Sequence, residues 1–293
     1  MLGLALINEC IQQNCDVYAI VRKDSAKLNR LPKSSLIHIV ECELKNFKSL
    51  TLERAGFDAF FHYAWECTDS LSRNEVDVQN RNISHTLDAV RLAYTLKCKK
   101  FIGAGSQAEY GRVSGKISPN MPVAPENAYG VAKYAAGRMA AILCDQLGMP
   151  FIWTRIFSTY GINDMSSTMI MYIIASLLKG EKPALTKCEQ QWDYLYCKDA
   201  AKAFYLIGEK GNSGSIYNIG TGKVRPLLEY VRIIRDAIDS SLPLGIGERE
   251  YAPSQVMNLH PDIGGLVSDT GFSPSIPFEQ GIQETIEWYK GLN

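Results

Sequence analysis

In the first 160 residues, short apolar runs alternate with longer segments of helical periodicity, and this alternation strongly constrains the fold. Apolar runs predict strands at 16–21, 36–40, 59–64, 99–104 and 151–156, and apolar spacing predicts helices at 4–13, 76–96 and 129–147. Apolar strands that alternate with helices are typical of a parallel sheet covered on both faces. We therefore predict an α/β protein with a doubly wound parallel sheet that binds ligands at the carboxyl ends of its strands.

The pattern becomes less regular after residue 160. Helices are predicted at 167–179, 198–208, 227–238 and 278–290, while proline and glycine interrupt the segment 242–277. We predict one domain at 1–160 and a smaller mixed lobe at 161–293. Strand-like segments near 194–220 are expected to return to the first domain.

Composition excludes several classes of protein. Lys and Arg total 31 and Asp and Glu total 31, so the zero formal charge disfavours a nucleic-acid binder. The longest apolar run, 169–178, is too short to span a bilayer, and the first residues lack the basic segment of a signal peptide. The eight cysteines include no Cys-x-x-Cys pair, and the four histidines are scattered. We therefore expect reduced thiols, no metal site, no membrane partner and a cytoplasmic location.

A tyrosine and a lysine four residues apart carry the main catalytic prediction. Tyr129 and Lys133 fall on one face of the helix predicted at 129–147. A nearby cation favours the phenolate and lowers a tyrosine pKa, so Tyr129 is expected to exchange a proton near neutral pH. Tyr194 and Lys198 repeat the spacing, but Tyr194 lies in a strand-like run, which favours a structural role. Ser106 follows a predicted strand and is expected to hydrogen-bond the reacting oxygen.

These residues resemble the extended short-chain dehydrogenase/reductase superfamily, in its nucleotide-sugar epimerase/dehydratase branch. Its Ser/Thr–Tyr–Lys triad corresponds to Ser106, Tyr129 and Lys133. Further matching segments follow in the family's order along nearly the whole chain: 60–64 (FFHYA), 82–86 (NISHT), 155–161 (RIFSTYG), 192–199 (WDYLYCKD), 217–220 (YNIG) and 271–274 (GFSP). The ordered set is more specific than any one motif.

The resemblance implies a Rossmann-like fold and hydride transfer at C4 of a nucleoside-diphosphate sugar. Tyr129 would move the hydroxyl proton, Ser106 would polarise the same oxygen, and Lys133 would bind the nicotinamide ribose and tune Tyr129. The family also implies a homodimer formed through the helices at 76–96 and 129–147.

The resemblance further implies a dinucleotide site that begins with a strand and a glycine-rich turn. This chain begins at what resembles the end of that turn, with Gly3 as its third glycine. We expect a truncation or a misplaced start codon rather than a degenerate protein, although this particular chain could be inactive. The other cofactor contacts expected are Arg22, Lys23, Glu43, Leu44, Ala64, Asn82, Tyr129, Lys133 and Ile156.

Two positions address the choice of cofactor. Arg22 and Lys23 stand where NAD-preferring relatives often carry aspartate, and a guanidinium can pair with a 2′-phosphate. This favours NADP over NAD, with a solvated basic loop as the alternative. Glu43 and Leu44 resemble the Asp-Leu pair that lies beside the adenine.

The reaction itself is left open between two alternatives. Gln107 and Ala108 replace the Asp-Glu pair that the family's 4,6-dehydratases use, which disfavours dehydration and leaves C4 epimerisation or 4-keto reduction. Expected substrate contacts are Ser106, Gln107, Ser158, Arg225 and Arg249. Ala252 stands where an arginine is common. A non-catalytic nucleotide-binding member and a reductase of non-sugar carbonyls are the competing hypotheses.

Overall fold

The computed structural model describes residues 1–25, 27–69 and 71–292, and helices alternate with strands through the first half of the chain. The helices are α1 (Leu2–Gln12), α2 (Val76–Thr95), α3 (Ala128–Gln146), α4 (Met169–Leu178), α5 (Cys197–Lys210), α6 (Leu227–Ile238), α7 (Gly264–Thr270) and α8 (Phe278–Lys290). The strands are β1 (Val17–Val21), β2 (Ile37–Glu41), β3 (Phe60–His62), β4 (Phe101–Ser106), β5 (Lys116–Ile117), β6 (Phe151–Ile156), β7 (Ser158–Tyr160), β8 (Ala184–Leu185), β9 (Gln191–Trp192), β10 (Tyr194–Tyr196), β11 (Ile216–Ile219), β12 (Arg225–Pro226), β13 (Gly245–Ile246) and β14 (His260–Pro261).

The central sheet is parallel and has the strand order β11-β6-β4-β3. Phe101 pairs with Phe151 across β4 and β6, and Ile216 pairs with Trp153 across β11 and β6. The predicted α/β class with a parallel sheet is thus confirmed. The strand-like segment near 194–220 contributes β11 to this sheet, whereas the domain boundary at residue 160 stays a prediction.

The two faces of the central sheet are covered by different helices. Side chains alternate along a strand, so Phe101 of β4 packs with Ala89 of α2 and Ala136 of α3, whereas Ile102 packs with Phe204 of α5. Alanines on α2 and α3 let these helices approach closely. Strand β4 is buried over its whole length, which accounts for its continuous run of small and apolar residues.

β1 and β2 form a separate parallel pair, in which Val17 lies opposite Ile37. Within the described residues no strand joins β1 to β3, yet both strands line the same cavity. The C-terminal part has its own apolar core, formed mainly by α4, α6 and α8, with Ile173, Val231 and Ile282 fully buried.

Candidate active site

A cavity of about 920 Å³ lies at the carboxyl ends of β3, β4 and β6 and contains the predicted catalytic residues. Ser106 is the last residue of β4, and Tyr129 and Lys133 lie in the first two turns of α3. All three side chains line the cavity. Parallel sheets bind their ligands at this edge, and the volume lies in the range of small-molecule sites. We therefore take this cavity as the candidate active site.

Local capping positions the start of α3 next to Ser106. The Asn127 side chain accepts a hydrogen bond from the Gly130 N–H at 2.8 Å, as an N-cap residue does. A Cβ atom at Gly130 would lie only 2.4 Å from the carbonyl oxygen of Ala108, two residues beyond Ser106. The close approach that this glycine permits brings Tyr129 to the end of β4.

A buried carboxylate, Glu109, holds the backbone of Ser106 in place. Its Oε1 accepts hydrogen bonds from the Ser106 backbone N–H at 2.8 Å and from Trp153 Nε1 at 3.1 Å, and its Oε2 accepts one from Arg155 Nε at 2.7 Å. Glu109 is fully buried and Arg155 nearly so. The sequence interpretation missed Glu109. The available signal was a lone carboxylate three residues after a strand of small residues, with an arginine inside a later apolar strand.

Lys133 is a buried ammonium beside the phenol. It is 4% exposed, and its Nζ donates to the carbonyl oxygen of Ala104 at 2.6 Å and lies 3.7 Å from the ring centroid of Trp65. Burial lowers the pKa of Lys133 to about 7, and the negative charge of Glu109 opposes this shift. Trp65, which follows β3 directly after Ala64, was not identified from the sequence.

The pKa of Tyr129 differs from the expectation drawn from its spacing to Lys133. Burial raises the pKa of Tyr129, and the charge of Glu109 acts in the same direction. The Ser106 hydroxyl and the positive charge of Arg73 act in the opposite direction, but burial is the larger cause. The lowered pKa that we expected is therefore wrong for this structure, because removing a phenolate from water outweighs the favourable groups around it.

The residues predicted to contact a dinucleotide are only partly brought together. Gly3, Ala64 and Ile156 line the cavity together with Tyr129 and Lys133. In contrast, Arg22 and Lys23 are exposed at the end of β1 and are not among its lining residues.

The remaining predicted cofactor contacts have structural partners. Leu44 is buried in the apolar core with Phe47, and Glu43 is the N-cap residue of the short 3-10 helix Leu44–Ser49. The buried Asn82 side chain accepts a hydrogen bond from the Glu66 N–H and donates one to the Glu66 carbonyl oxygen, each at 3.0 Å. Asn82 thus holds the loop after β3, in which Ala64 and Trp65 line the cavity.

Two cations that the sequence interpretation did not single out line the cavity. Lys27 and Arg30 lie after β1 and border the same space as Met1–Leu4 at the start of α1. Cations near a helix N-terminus favour the binding of an anion such as a phosphate.

The predicted substrate contacts separate into two groups. Ser158 lines the large cavity with Ser106 and accepts a hydrogen bond from Trp192 Nε1 at 2.9 Å. Arg249 instead lines a second cavity of about 380 Å³, and Arg225 forms an ion pair with Glu279 at 2.6 Å.

The second cavity lies beside the active-site cavity, and Tyr194 lines both. Trp192 lines the second cavity and donates its hydrogen bond to Ser158, which lines the first. The buried Gln190 lines it with an Oε1 atom that has no hydrogen-bond partner among the described residues. The half-buried Gln107 is not a lining residue of either cavity.

The described ranges hold neither a metal-binding cluster nor a membrane-spanning helix. No three His, Cys, Asp or Glu side chains in residues 1–25, 27–69 and 71–292 are grouped so as to hold a metal ion. In the same residues, no helix combines the length and apolar character needed to cross a membrane.

Residues 1–220 match the model of a protein family described as the NAD dependent epimerase/dehydratase family. The dTDP-glucose 4,6-dehydratase of Xanthomonas campestris pv. campestris is 27% identical over 201 residues, which cover 65% of this chain and 57% of that enzyme. The match therefore spans little more than half the length of that relative.

Solved structures with similar folds cover nearly the whole chain. The UDP-N-acetylglucosamine 4-epimerase of Methanobrevibacter ruminantium, in complex with UDP-N-acetylmuramic acid, superposes with a TM-score of 0.86 at 22% identity and covers 100% of this chain and 96% of that one. The dTDP-glucose 4,6-dehydratase DesIV of Streptomyces venezuelae, with NAD bound, has a TM-score of 0.87 at 20% identity and covers 99% and 94%. At these identities the similarity establishes the fold.

Proposed function

The chain belongs to the NAD dependent epimerase/dehydratase family, and from this premise we propose that it is a nicotinamide-dependent enzyme that transfers hydride at C4 of a nucleoside-diphosphate sugar, as a C4 epimerase or a 4-keto-sugar reductase. The observation that carries the proposal is the convergence of Ser106, Tyr129 and Lys133 on one cavity at the carboxyl edge of a parallel sheet.

Each of the three side chains has a role that follows from its position. Tyr129 gives or takes the proton of the sugar C4 oxygen. The Ser106 hydroxyl, at the tip of β4, donates to the same oxygen as negative charge develops on it. Lys133 is held by the Ala104 carbonyl and contributes its ammonium to the ribose of the cofactor and to the field at Tyr129. A bound nicotinamide would supply the hydride chemistry: an oxidised ring would take up and return the hydride in an epimerase, and a reduced ring would donate it in a reductase.

The residues around Ser106 argue against dehydration, although the curated relative from Xanthomonas is a 4,6-dehydratase. Elimination needs an acid and a base near sugar C5 and C6, and Gln107 and Ala108 follow Ser106 in the sequence. Glu109 is the nearest carboxylate along the chain, but it is fully buried against Arg155 and faces away from the cavity toward the backbone of Ser106. No general acid for that step is therefore supplied by this segment.

The cavity fits a dinucleotide on its own features. It extends from the start of α1 and the cations Lys27 and Arg30, which suit phosphate groups, to Lys133 and Tyr129. The lean to NADP over NAD rests on Arg22 and Lys23 at the end of β1, because a guanidinium can pair with a 2′-phosphate, although neither side chain lines the cavity.

A second candidate is a reductase of non-sugar carbonyls. Trp192 occupies the position where the resembled family carries arginine, and its Nε1 donates a hydrogen bond to Ser158. Arg225 is paired with Glu279, and Arg249 lies at the other cavity. An uncharged ketone needs no cation at this wall, so the tryptophan at position 192 and the absence of Arg225 and Arg249 from the lining of the large cavity favour such a substrate.

The test begins with calorimetric titration of NADPH and NAD, followed by a panel of UDP- and dTDP-sugars and simple ketones with product analysis by NMR. We expect binding of a dinucleotide and conversion of a nucleotide sugar at C4. Tyr129→Phe should reduce kcat by roughly 100-fold or more, because the general acid-base group is lost. Tyr134→Phe, half-buried in the same helix, should stay near the unsubstituted rate.

The outcomes separate the alternatives. Conversion of ketones alone would replace the proposal with the second candidate. Formation of a 4-keto-6-deoxy sugar would contradict the argument from Gln107 and Ala108. Failure to bind either dinucleotide would leave a non-catalytic member of the family.

A further inference from the structure

The loop between β3 and α2 contacts the start of α3 through two consecutive residues. Asn74 Oδ1 accepts a hydrogen bond from the backbone N–H of Ala128 at 3.1 Å, which satisfies a free donor at the helix start. The guanidinium carbon of Arg73 lies 5.2 Å from the ring centroid of Tyr129, the next residue of α3. The loop therefore holds both the backbone and the side chain of this turn.

Arg73 is held over the phenol without a carboxylate partner among the described residues. Its Nη2 donates to the Thr68 carbonyl oxygen at 3.1 Å, and its buried Nε has no hydrogen-bond partner in the described part of the chain. A guanidinium within about 6 Å of a ring centroid is attracted by the ring face, more strongly where water is excluded. The Tyr129 ring also meets Trp65 edge-on, with centroids 6.1 Å apart.

The lysine of the triad is less available to the phenol than Arg73. Lys133 Nζ is bonded to Ala104 and lies against Trp65, and it is 5.8 Å from the Tyr129 ring centroid. Burial lowers the pKa of Lys133 to about 7, so its charged form is less favoured than that of a lysine in water. A guanidinium keeps its charge in such surroundings.

We propose that Arg73 is a positioning residue for Tyr129, which covers the ring face, fixes the phenol in the cavity and supplies a permanent positive charge that stabilises the phenolate. This role rests on the proposed function only for its catalytic consequence. The geometry and the electrostatic effect exist without substrate or cofactor.

Several groups face the phenol, and the effect of Arg73 is defined relative to them. Arg73 and the Ser106 hydroxyl lower the pKa of Tyr129, while Glu109, in the short 3-10 helix Gln107–Glu109 that follows β4, raises it. Lys133 lies one turn along α3. Removing Arg73 deletes the charge supplied by the β3–α2 loop and leaves the groups on the other elements unchanged.

The test measures the ionisation of residue 129 directly, using the full chain with 3,5-difluorotyrosine in place of Tyr129. Ring fluorination moves the titration toward neutral pH, where the protein is folded, and the single label makes the fluorine NMR signal unambiguous. We expect Arg73→Gln to raise the titration midpoint by about one pH unit, the size of effect that a charge at about 4–6 Å produces. Arg73→Lys should recover at least half of that shift.

Arg81→Gln serves as the matched control, because Arg81 is an exposed arginine on α2 and its loss removes the same charge. Its midpoint should equal that of the unsubstituted chain. Equal midpoints for the Arg73→Gln, Arg73→Lys and unsubstituted chains would overturn the proposal, as would an equal shift in the Arg81→Gln variant. The titration needs neither dinucleotide nor sugar. The proposal for Arg73 can therefore be wrong while the proposed function is right, and the proposed function can be wrong while the proposal for Arg73 is right.

Discussion

Lys133 lies buried at the candidate active site, and its ammonium group has few partners there. It is 4% exposed and has one carbonyl partner, Ala104, together with the face of Trp65. Taking an ammonium out of water is costly unless its partners compensate fully. A neutral carbonyl and a ring compensate in part, which is why burial lowers the pKa of Lys133 from 10.5 to about 7.

We expect Lys133→Met to stabilise the protein at pH 7 by about 1–2 kcal/mol, since the cost of the buried charge exceeds that of losing one hydrogen bond to Ala104. Between about pH 7 and 10 the unfolded chain binds more protons at this lysine than the folded chain does, so the stability of the native protein rises with pH. The advantage of Lys133→Met should therefore shrink across this window and stay constant below it.

Urea unfolding at pH 6, 7, 8 and 9 measures this dependence. Lys202→Met, at an exposed position on α5, should change the free energy of unfolding by less than about 0.5 kcal/mol at every pH. A destabilised Lys133→Met variant, or a gain that grows with pH, would mean that the ammonium is well compensated where it lies.

At the same scale, the sequence identifies residues by spacing and motif and misses those that act through space. Ser106, Tyr129 and Lys133 were found because they follow a strand or share a helix face, and all three line one cavity. Arg73 contacts Tyr129 because the loop between β3 and α2 folds against the start of α3. Glu109 contacts the Ser106 backbone because the 3-10 helix Gln107–Glu109 turns back toward the end of β4. No spacing or motif in the sequence indicates either of these contacts. The pKa of Tyr129 was predicted with the wrong sign because spacing carries no information about burial.

At the scale of elements, one tryptophan sets how α3 packs on the sheet. Trp153 of β6 lies across Gly103 of the neighbouring strand β4 and against Gly137 of α3. A Cβ atom at Gly103 would lie 2.2 Å from the Trp153 ring, and one at Gly137 would lie 2.7 Å from it. The indole also donates to Glu109. The spacing between α3 and the sheet thus depends on glycine, which has no Cβ atom, at positions 103 and 137.

We expect Gly137→Ala to destabilise the protein by about 1–2 kcal/mol, because overpacking costs about 1–3 kcal/mol and the better helix propensity of alanine returns up to about 1 kcal/mol. Gly265→Ala is the control, since Gly265 is also helical and nothing lies within 4 Å of its added Cβ. That variant should be neutral or slightly more stable. If thermal and urea unfolding showed Gly137→Ala to be as stable as Gly265→Ala, α3 would move away from Trp153 without cost.

Long elements were predictable and short ones were not. The helices predicted at 227–238 and 278–290 and the strand at 151–156 have the observed bounds. The strand predicted at 99–104 is found at Phe101–Ser106, since pairing with β6 extends it through Gly105 and Ser106, which have weak strand propensity. Pairs such as β5 with β14 join residues far apart in sequence, so no local pattern could predict them.

At the scale of the whole molecule, α2 and α3 present an apolar face to solvent. On α3, Val131 is 50% exposed, Met139 is 46% exposed and Ile142 is 56% exposed. On α2, Val76 and Tyr94 are exposed on the same side, since they are eighteen residues or five helical turns apart. The two helices pack side by side. We propose that two copies of the chain associate through this face, so that four helices pack together.

Met139→Glu combined with Ile142→Glu should convert this dimer to a monomer, because both copies would place two carboxylates in a desolvated apolar contact. Sedimentation velocity at micromolar concentration should give about twice 32.6 kDa for the unsubstituted chain and 32.6 kDa for the double variant. Val267→Glu introduces one such carboxylate on α7, where Val267 is 43% exposed, and should leave the mass unchanged. A monomeric unsubstituted chain would show that the α2–α3 face is not self-complementary. A dimer that persists in the double variant would place the interface on another surface. We expect cofactor affinity to be unchanged in the double variant, because neither Met139 nor Ile142 lines the cavity.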